Sequence, residues 1–294
     1  MRDKPNVQDV MPCVPEAAAL EEIGEGGFKV VYRARIEDTV EAVKLALIPS
    51  DDQDEEVRDE NARRIRRELA ILRDCVSPFL VKLGNIEPRE CRIGNRDYVL
   101  YSEEYVPGES LRSMIGRGLR PPLRDLGRLG FCLLEAVREL AGRNLIHRDI
   151  KPDNVIQTNR EDRPFVLLDL GIAYHVGGTP LTRDTGRIPG TLYYIAPEML
   201  DAGFRQNLDY RADLYTIGLT LYEFGSCVQP FARREDAQYT TLYRIKTQNP
   251  TPFRELRSDL PVDFCRLVDQ LMKKLPALRP SNIAGLVRRM EGFL

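Results

Sequence analysis

The stretch His147-Arg148-Asp149-Ile150-Lys151-Pro152-Asp153-Asn154, HRDIKPDN, decides the fold of this chain. It sets a carboxylate, an ammonium and an amide, on Asp149, Lys151 and Asn154, within six positions. Pro152 fixes one backbone dihedral between them and stiffens the run. Three such groups on one stiff loop can orient a hydroxyl, neutralise a phosphoryl group and hold a metal ion.

The chain around this stretch has 294 residues, enough to bury a sizeable core in one large or two smaller domains. A formal net charge of −2 offers no basic excess for nucleic acid or a membrane surface. No apolar run approaches a membrane span, and the opening MRDKPNVQDVMPCVPEAAAL lacks the apolar core of a signal peptide. Six cysteines are scattered without a CxxC pair, which predicts reduced, mostly buried thiols in a cytoplasmic protein. With His147 and His175 the only histidines, a Cys/His metal cluster is not expected. No internal repeat or low-complexity segment is present.

Upstream, residues 1–16 carry Pro5, Pro12 and Pro15 and show little periodicity, so no element is expected there. Gly24–Tyr32, GEGGFKVVY, reads as strand, turn and strand. Its glycines Gly24, Gly26 and Gly27 let backbone N–H groups approach a phosphate, although a glycine-rich hairpin also forms without a ligand. Glu41–Leu47, EAVKLAL, alternates as a strand with Lys44 inside it. From Ser50 to Cys75 the text is helical, acidic first and arginine-rich later, which complements the helix dipole. Ile65, Leu69, Leu72 and Val76 mark its apolar face. Glu68 shares that face, where a carboxylate needs a cation: Arg64 on the same helix, or Lys44. Pro78–Leu83 leads back to the sheet, Cys91–Asn95 is a hairpin turn, Tyr98–Val106 is a strand, and Pro107-Gly108 breaks it.

Downstream of a helix ending near Gly142 and of the HRDIKPDN loop, Asn154-Val155-Ile156 and Phe165–Leu168 read as two short buried strands. Asp169-Leu170-Gly171 follows them. The segment from Asp169 to Glu198 holds Thr179, Thr182, Thr185, Arg183 and Arg187 and ends IPGTLYYIAPE, which has the character of a switchable loop. Asp209–Cys227 is apolar on nearly every face, the mark of a buried helix, and Asp213 within it must be hydrogen-bonded. Val262–Lys274 and Ile283–Leu294 read as further amphipathic helices.

HRDIKPDN, Asp169-Leu170-Gly171 and Ala196-Pro197-Glu198, in that order, resemble the eukaryotic-type (Hanks-type) protein kinases. Lys two places after Asp is typical of Ser/Thr-specific members. The resemblance runs from about Leu20 to Leu294. It implies an α+β fold in two lobes: a small β-rich N-lobe with one key helix, and a larger, mainly helical C-lobe. The implied divisions are an N-terminal flank at 1–16, the N-lobe at 17–106 and the C-lobe at 107–294, within one kinase domain.

The resemblance also implies a role for each matching residue. Asp149 orients or accepts the substrate hydroxyl proton, and Lys151 neutralises the γ-phosphoryl group. Lys44 anchors the α- and β-phosphates and is itself held by Glu68, so that movement of the Glu68 helix acts as an on/off control. ATP lies among Gly24, Glu25, Gly26, Gly27, Val31, Ala42, Lys44, Glu104, Val106 and Ile156. Asn154 and Asp169 hold Mg²⁺, with Mn²⁺ the alternative ion. Lys29 stands where the family's third glycine would be, and Leu170 where Phe is more usual. Glu103 falls at the position behind the adenine, where an acid is unusual; it pairs with Lys44 or another cation, or Ser102 takes the place.

Arg148 would grip a phosphate on the activation segment, with Thr185 the first and Thr182 the second expected phosphosite. Thr191 would shape the substrate floor. Asp213 would accept backbone N–H bonds from the catalytic loop, and Arg279 would pair with Glu198. His147 would pack as a core residue. The implied partners are protein substrates, without nucleic acid or a membrane segment, and a homodimer is an option for trans-autophosphorylation. Two other readings stay open: a nucleotide-binding pseudokinase or scaffold, then a small-molecule kinase. The presence of Lys44, Asp149, Asn154 and Asp169 weighs against the first; Glu198 with Arg279 weighs against the second.

Overall fold

The computed structural model describes residues 5–25, 29–48, 55–169, 193–201, 208–233 and 237–294, with Glu25, Glu55, Val57, Arg64 and Gln238 described by their backbone alone. Among these, the residues up to Val76 together with Val81–Val106 form one compact unit. Ser77–Leu80 and the residues from Pro107 onward form a second.

The first unit is built on strands β1 (Ala17–Glu25), β2 (Lys29–Ile36), β3 (Thr39–Leu47), β4 (Arg89–Ile93) and β5 (Arg96–Glu104). They make an antiparallel sheet in the order β1-β2-β3-β5-β4. In β2, Val30, Tyr32, Ala34 and Ile36 alternate inward, the period-2 pattern of a strand with one buried face. The central strand β3 is buried nearly throughout, because it has neighbours on both sides and cover on both faces. Gly94, with φ +59°, turns the β4–β5 hairpin.

Helix α2 (Glu55–Arg73) buries Ala62, Ile65, Leu69 and Leu72 at three- and four-residue spacing. Val76, assigned to that face from sequence, is 82% exposed, because the helix stops at Arg73 and the chain has already turned. Cys75 is buried instead. Ser50 lies outside the described residues.

The N-terminal flank is more ordered than its text suggests. Asn6 and Asp9 form a capping box on α1 (Val7–Val10), and a 3-10 turn follows over Met11–Cys13. Val10 and Val14 are buried against the sheet cluster that includes Tyr32, Val43 and Leu45. The Tyr32 hydroxyl donates to the Pro5 carbonyl at 2.8 Å.

The second unit is mainly helical: α3 (Leu111–Gly116), α4 (Leu123–Gly142), α5 (Arg211–Ser226), α6 (Gln238–Thr247), α7 (Phe253–Leu256), α8 (Val262–Leu271) and α9 (Ile283–Glu291). α5 is buried from Ala212 to Ser226, which explains its lack of a polar face. The short strands β6 (Glu109–Ser110), β7 (Val155–Gln157) and β8 (Phe165–Leu167) pair antiparallel in that order. Leu80 adds a parallel bridge to Leu167, whereas Leu83 bridges Glu103 in the first unit. None of the six cysteines is in a disulfide. Cys75, Cys132 and Cys265 are buried, but Cys13, Cys91 and Cys227 are partly exposed. Burial pushes the Cys132 thiol up to about 12. Among the described residues no helix is long and apolar enough to cross a membrane.

Candidate functional site

In the second unit, the loop between α4 and β7 gathers its polar groups around Asp149. That residue is 7% exposed. Lys151 Nζ approaches both of its carboxylate oxygens, at 2.9 and 3.0 Å. Asn154 Nδ2 donates to the Asp149 backbone oxygen at 2.8 Å and to Oδ2 at 2.7 Å. Pro152 and Asn154 lie in one short 3-10 turn, which places the three side chains on one side of the loop.

The loop itself is held from below. Asp213, near the start of α5 and fully buried, accepts the backbone N–H of His147 at 2.7 Å and of Arg148 at 2.8 Å. Burial pushes Asp213 up to about 6, opposed by those two N–H groups and by the Arg148 charge. Arg148 takes a left-handed backbone, φ +69°, a conformation costly for a residue with a Cβ and sustained here by the Asp213 bonds. His147 is 1% exposed. Its Nε2 lies 3.1 Å from the Leu168 carbonyl and its Nδ1 receives the Asp149 N–H at 3.4 Å. With both ring nitrogens so engaged, the ring is a brace within the loop rather than a base.

Asp169 is brought to the same place by strand pairing. Val155 pairs with Leu167, and Leu168 N–H donates to Asn154 O at 2.8 Å, so the next residue emerges beside Asn154. Asp169 is 8% exposed with φ +58°. The Asn154 nitrogen is spent on Asp149, which leaves its amide oxygen as the donor for a cation. An amide oxygen with a carboxylate fits Mg²⁺, a hard ion that takes one or two protein oxygens plus phosphates and waters. Among the described residues no group of three or more His, Cys, Asp and Glu could hold a metal by itself.

Two further arrangements flank this loop. Arg279 donates to Glu198 through two bonds, Nη1–Oε1 at 2.6 Å and Nη2–Oε2 at 2.7 Å. Arg112 donates to Glu223 at 2.7 Å, and the Tyr194 hydroxyl bonds both Arg112 and Glu223. The Tyr194 phenol is pushed up by burial and by the Glu223 carboxylate. Sequence reading missed this trio: its members sit far apart in the chain, and no local pattern marks them.

In the first unit, Lys44 lies in the middle of β3 and is 2% exposed, not a solvated edge residue. It forms a buried ion pair with Glu103 of β5. That decides among the options for Glu103 in favour of Lys44. Ser102 points to the other face, where its hydroxyl donates to Glu41 at 2.6 Å. Glu68 is half-buried on α2. Ala42 is buried, and Val31 and Val106 are half-buried. Glu104 ends β5; its N–H donates to Lys82 O at 2.9 Å and its side chain accepts from Lys82 N at 2.8 Å. Ile156 of the second unit is half-buried on β7. Gly24 and Glu25 close β1 and Lys29 opens β2. Gly26, Gly27, Leu170, Gly171, Thr182, Thr185 and Thr191 lie outside the described residues.

A family model described as protein kinase domain matches residues 18–289. The chain belongs to the protein kinase family. It is similar to a probable serine/threonine-protein kinase of Clostridium perfringens, 26% identical over 92% of this chain and 37% of that one. It is also similar to the serine/threonine-protein kinase pkn3 of Myxococcus xanthus, 29% identical over 92% of this chain and 48% of that one. The chain therefore spans less than half the length of these curated relatives. The kinase fold is shared with the PknI kinase domain of Mycobacterium tuberculosis, at a TM-score of 0.65, 19% identity and coverage of 94% and 97%. The expected fold class, α+β with a small antiparallel sheet and a helical part, is borne out by this likeness and by the elements above.

Proposed function

We propose that this protein kinase is an ATP-dependent enzyme that transfers the γ-phosphoryl group to Ser or Thr hydroxyls of proteins. The observation that carries this reading is the buried Asp149 carboxylate, bracketed by Lys151 and Asn154 on a loop pinned by Asp213. A carboxylate so placed accepts a hydrogen bond from an incoming alcohol and aims its oxygen, while the Lys151 charge meets the anionic group being transferred. Arg279 and Glu198 add a family feature that kinases of small molecules typically lack.

The remaining assignments follow the family pattern residue by residue. Lys44 anchors the α- and β-phosphates, with Glu68 and its helix as a control. Gly24, Glu25, Gly26, Gly27, Val31, Ala42, Glu104, Val106 and Ile156 receive ATP. Asn154 and Asp169 hold Mg²⁺ or Mn²⁺, which when bound neutralises phosphate charge. Thr185 and Thr182 are the phosphosites, Thr191 the substrate floor. Autophosphorylation in a transient homodimer, a cytoplasmic location, and the division at 1–16, 17–106 and 107–294 complete the proposal.

The test is incubation with labelled ATP, Mg²⁺ and a generic protein substrate, beside Asp149→Asn. Transfer to Ser or Thr is expected, with a loss in the variant of about 10²–10⁴-fold. Nucleotide binding without transfer, by chain already phosphorylated on its threonines, would favour the pseudokinase reading instead.

A further inference from the structure

We propose that Glu103 is a positioning residue for Lys44: the sheet itself, through a neighbouring strand, holds the phosphate-anchoring ammonium. The proposal deepens the kinase reading and rests on it.

The strand register creates the pair. Lys44 on β3 lies opposite Tyr101 on β5, and Ala42 lies opposite Glu103. Glu103 is therefore the diagonal neighbour of Lys44 on the same face, within reach of two long side chains. Directly across from Glu103 stands only the methyl group of Ala42, which leaves room for the carboxylate to lean toward position 44. Both partners are dry, with side chains 3% and 2% exposed. A buried charge of either sign is tolerated only beside its opposite, so each residue fixes the place of the other.

The backbone that carries Glu103 is anchored on both sides. β3 pairs with it on one edge. On the other, Leu83 bridges Glu103, Gly84 N–H donates to Ser102 O at 2.8 Å, and Glu104 N–H donates to Lys82 O at 2.9 Å. A strand held by ladders on two edges cannot shift without breaking them. Helix α2, which carries Glu68, is held to the sheet through side chains, its buried apolar face and the ion pairs of Arg58 and Arg66, rather than by a backbone ladder, and slides more readily. Of the two carboxylates assigned to Lys44, Glu103 is therefore the one on the stiffer support. Phosphates then meet an ammonium whose direction is already set, so less ordering remains to be done on binding.

Two measurements on the full chain test this. The first is a double-mutant cycle in thermal stability with Lys44→Met, Glu103→Met and both together. Each single variant removes one member of a buried ion pair and should lower Tm by several degrees, and the double should recover at least half of the summed loss. The second is steady-state kinetics of Glu103→Gln, which keeps the shape and removes the charge. The KM for ATP should rise about tenfold, equivalent to about 1.4 kcal/mol, with the KM for protein substrate unchanged. A merely structural role would move both KM values together. An additive cycle, or an ATP KM that stays level or falls in Glu103→Gln, overturns the proposal. Failure of the kinase reading is separable: the wild-type chain would then transfer nothing, removing the positioning role, while the stability cycle would still report the pair.

Discussion

Arg279 grips Glu198 through two parallel bonds of 2.6 and 2.7 Å, and the same guanidinium spends its remaining N–H groups on backbone carbonyls. Nε donates to Lys273 O at 2.7 Å, Nη1 to Arg211 O at 2.7 Å and Nη2 to Lys274 O at 3.0 Å. The guanidinium carbon lies 4.9 Å from the centre of the Tyr215 ring. Five donors in a planar fork match five acceptors, so a point-charge ammonium cannot replace it. Arg279→Lys keeps the charge but can fill at most three of the five bonds, and should destabilise the chain by about 2–4 kcal/mol. Urea unfolding of the two proteins measures it; a loss under about 1 kcal/mol would show the site to be adaptable.

Asp213 predicts a pH dependence. Its carboxyl is raised from 3.8 to about 6, so the folded chain favours the protonated form. The sign follows: the contribution is complete below about pH 4 and is lost as pH rises through about 6. The size is about 3 kcal/mol, from a shift near two pH units. Asp213→Asn cannot titrate, and its amide nitrogen faces one of two N–H donors, so it is the weaker protein throughout. The stability gap between wild type and Asp213→Asn should therefore narrow by about 3 kcal/mol between pH 4 and 7. A constant gap would mean that Asp213 does not change charge in that window.

The fold was legible where local signals repeat. The strand text around Lys44, the four-residue spacing of Ile65 and Leu69, and the all-apolar run through Leu214 each specify an element from neighbours in the chain. Misreadings arose where a residue's surroundings are supplied from afar. Val10 and Val14 are buried because a sheet formed later in the sequence lies under them. Val76 is exposed because a helix ends three residues earlier, and end points are weakly encoded. At the site, residue types named Asp149, Asn154 and Asp169 as candidates, but the partner of Lys44 depends on which strand lies beside β3. That is a matter of sheet order, β3 next to β5, and it joins residues 59 apart. The Tyr194–Glu223–Arg112 trio is of the same kind.

Close helix approach predicts opposite effects for two glycines of α4. A Cβ at Gly127 would press on the backbone oxygen of Phe293, just past α9, while one at Gly142 would meet nothing within 4 Å. Backbone does not yield as a side-chain tip does, so Gly127→Ala should cost about 1–3 kcal/mol despite the better helix propensity of Ala. Gly142→Ala should stabilise by about 0.5–1 kcal/mol, since the gain in propensity meets no clash. Thermal unfolding of both variants gives the signs directly, and a stabilised Gly127→Ala would show that α9 can retreat.

Helix α2 is tied to the sheet edge at its N-terminal end, and this separates helix motion from lysine position. Arg58 Nε donates to Asp97 at 2.9 Å, Nη2 to Glu90 at 2.7 Å and Nη1 to Asp59 at 2.6 Å, and Arg66 also bonds Glu90. These groups are partly exposed, so the network contributes about 1 kcal/mol, less at high salt. Its effect is on register: Arg58 lies near the start of α2 and ties that end to β4 and β5. Arg58→Ala should speed hydrogen exchange of amides in the first half of α2 several-fold, an effect that about 1 M salt should largely mimic on wild type. If Lys44 takes its direction from Glu103, the KM for ATP should stay within about twofold in the same variant. A large rise in KM alongside faster exchange would instead make the helix, and Glu68 upon it, the dominant hold on Lys44.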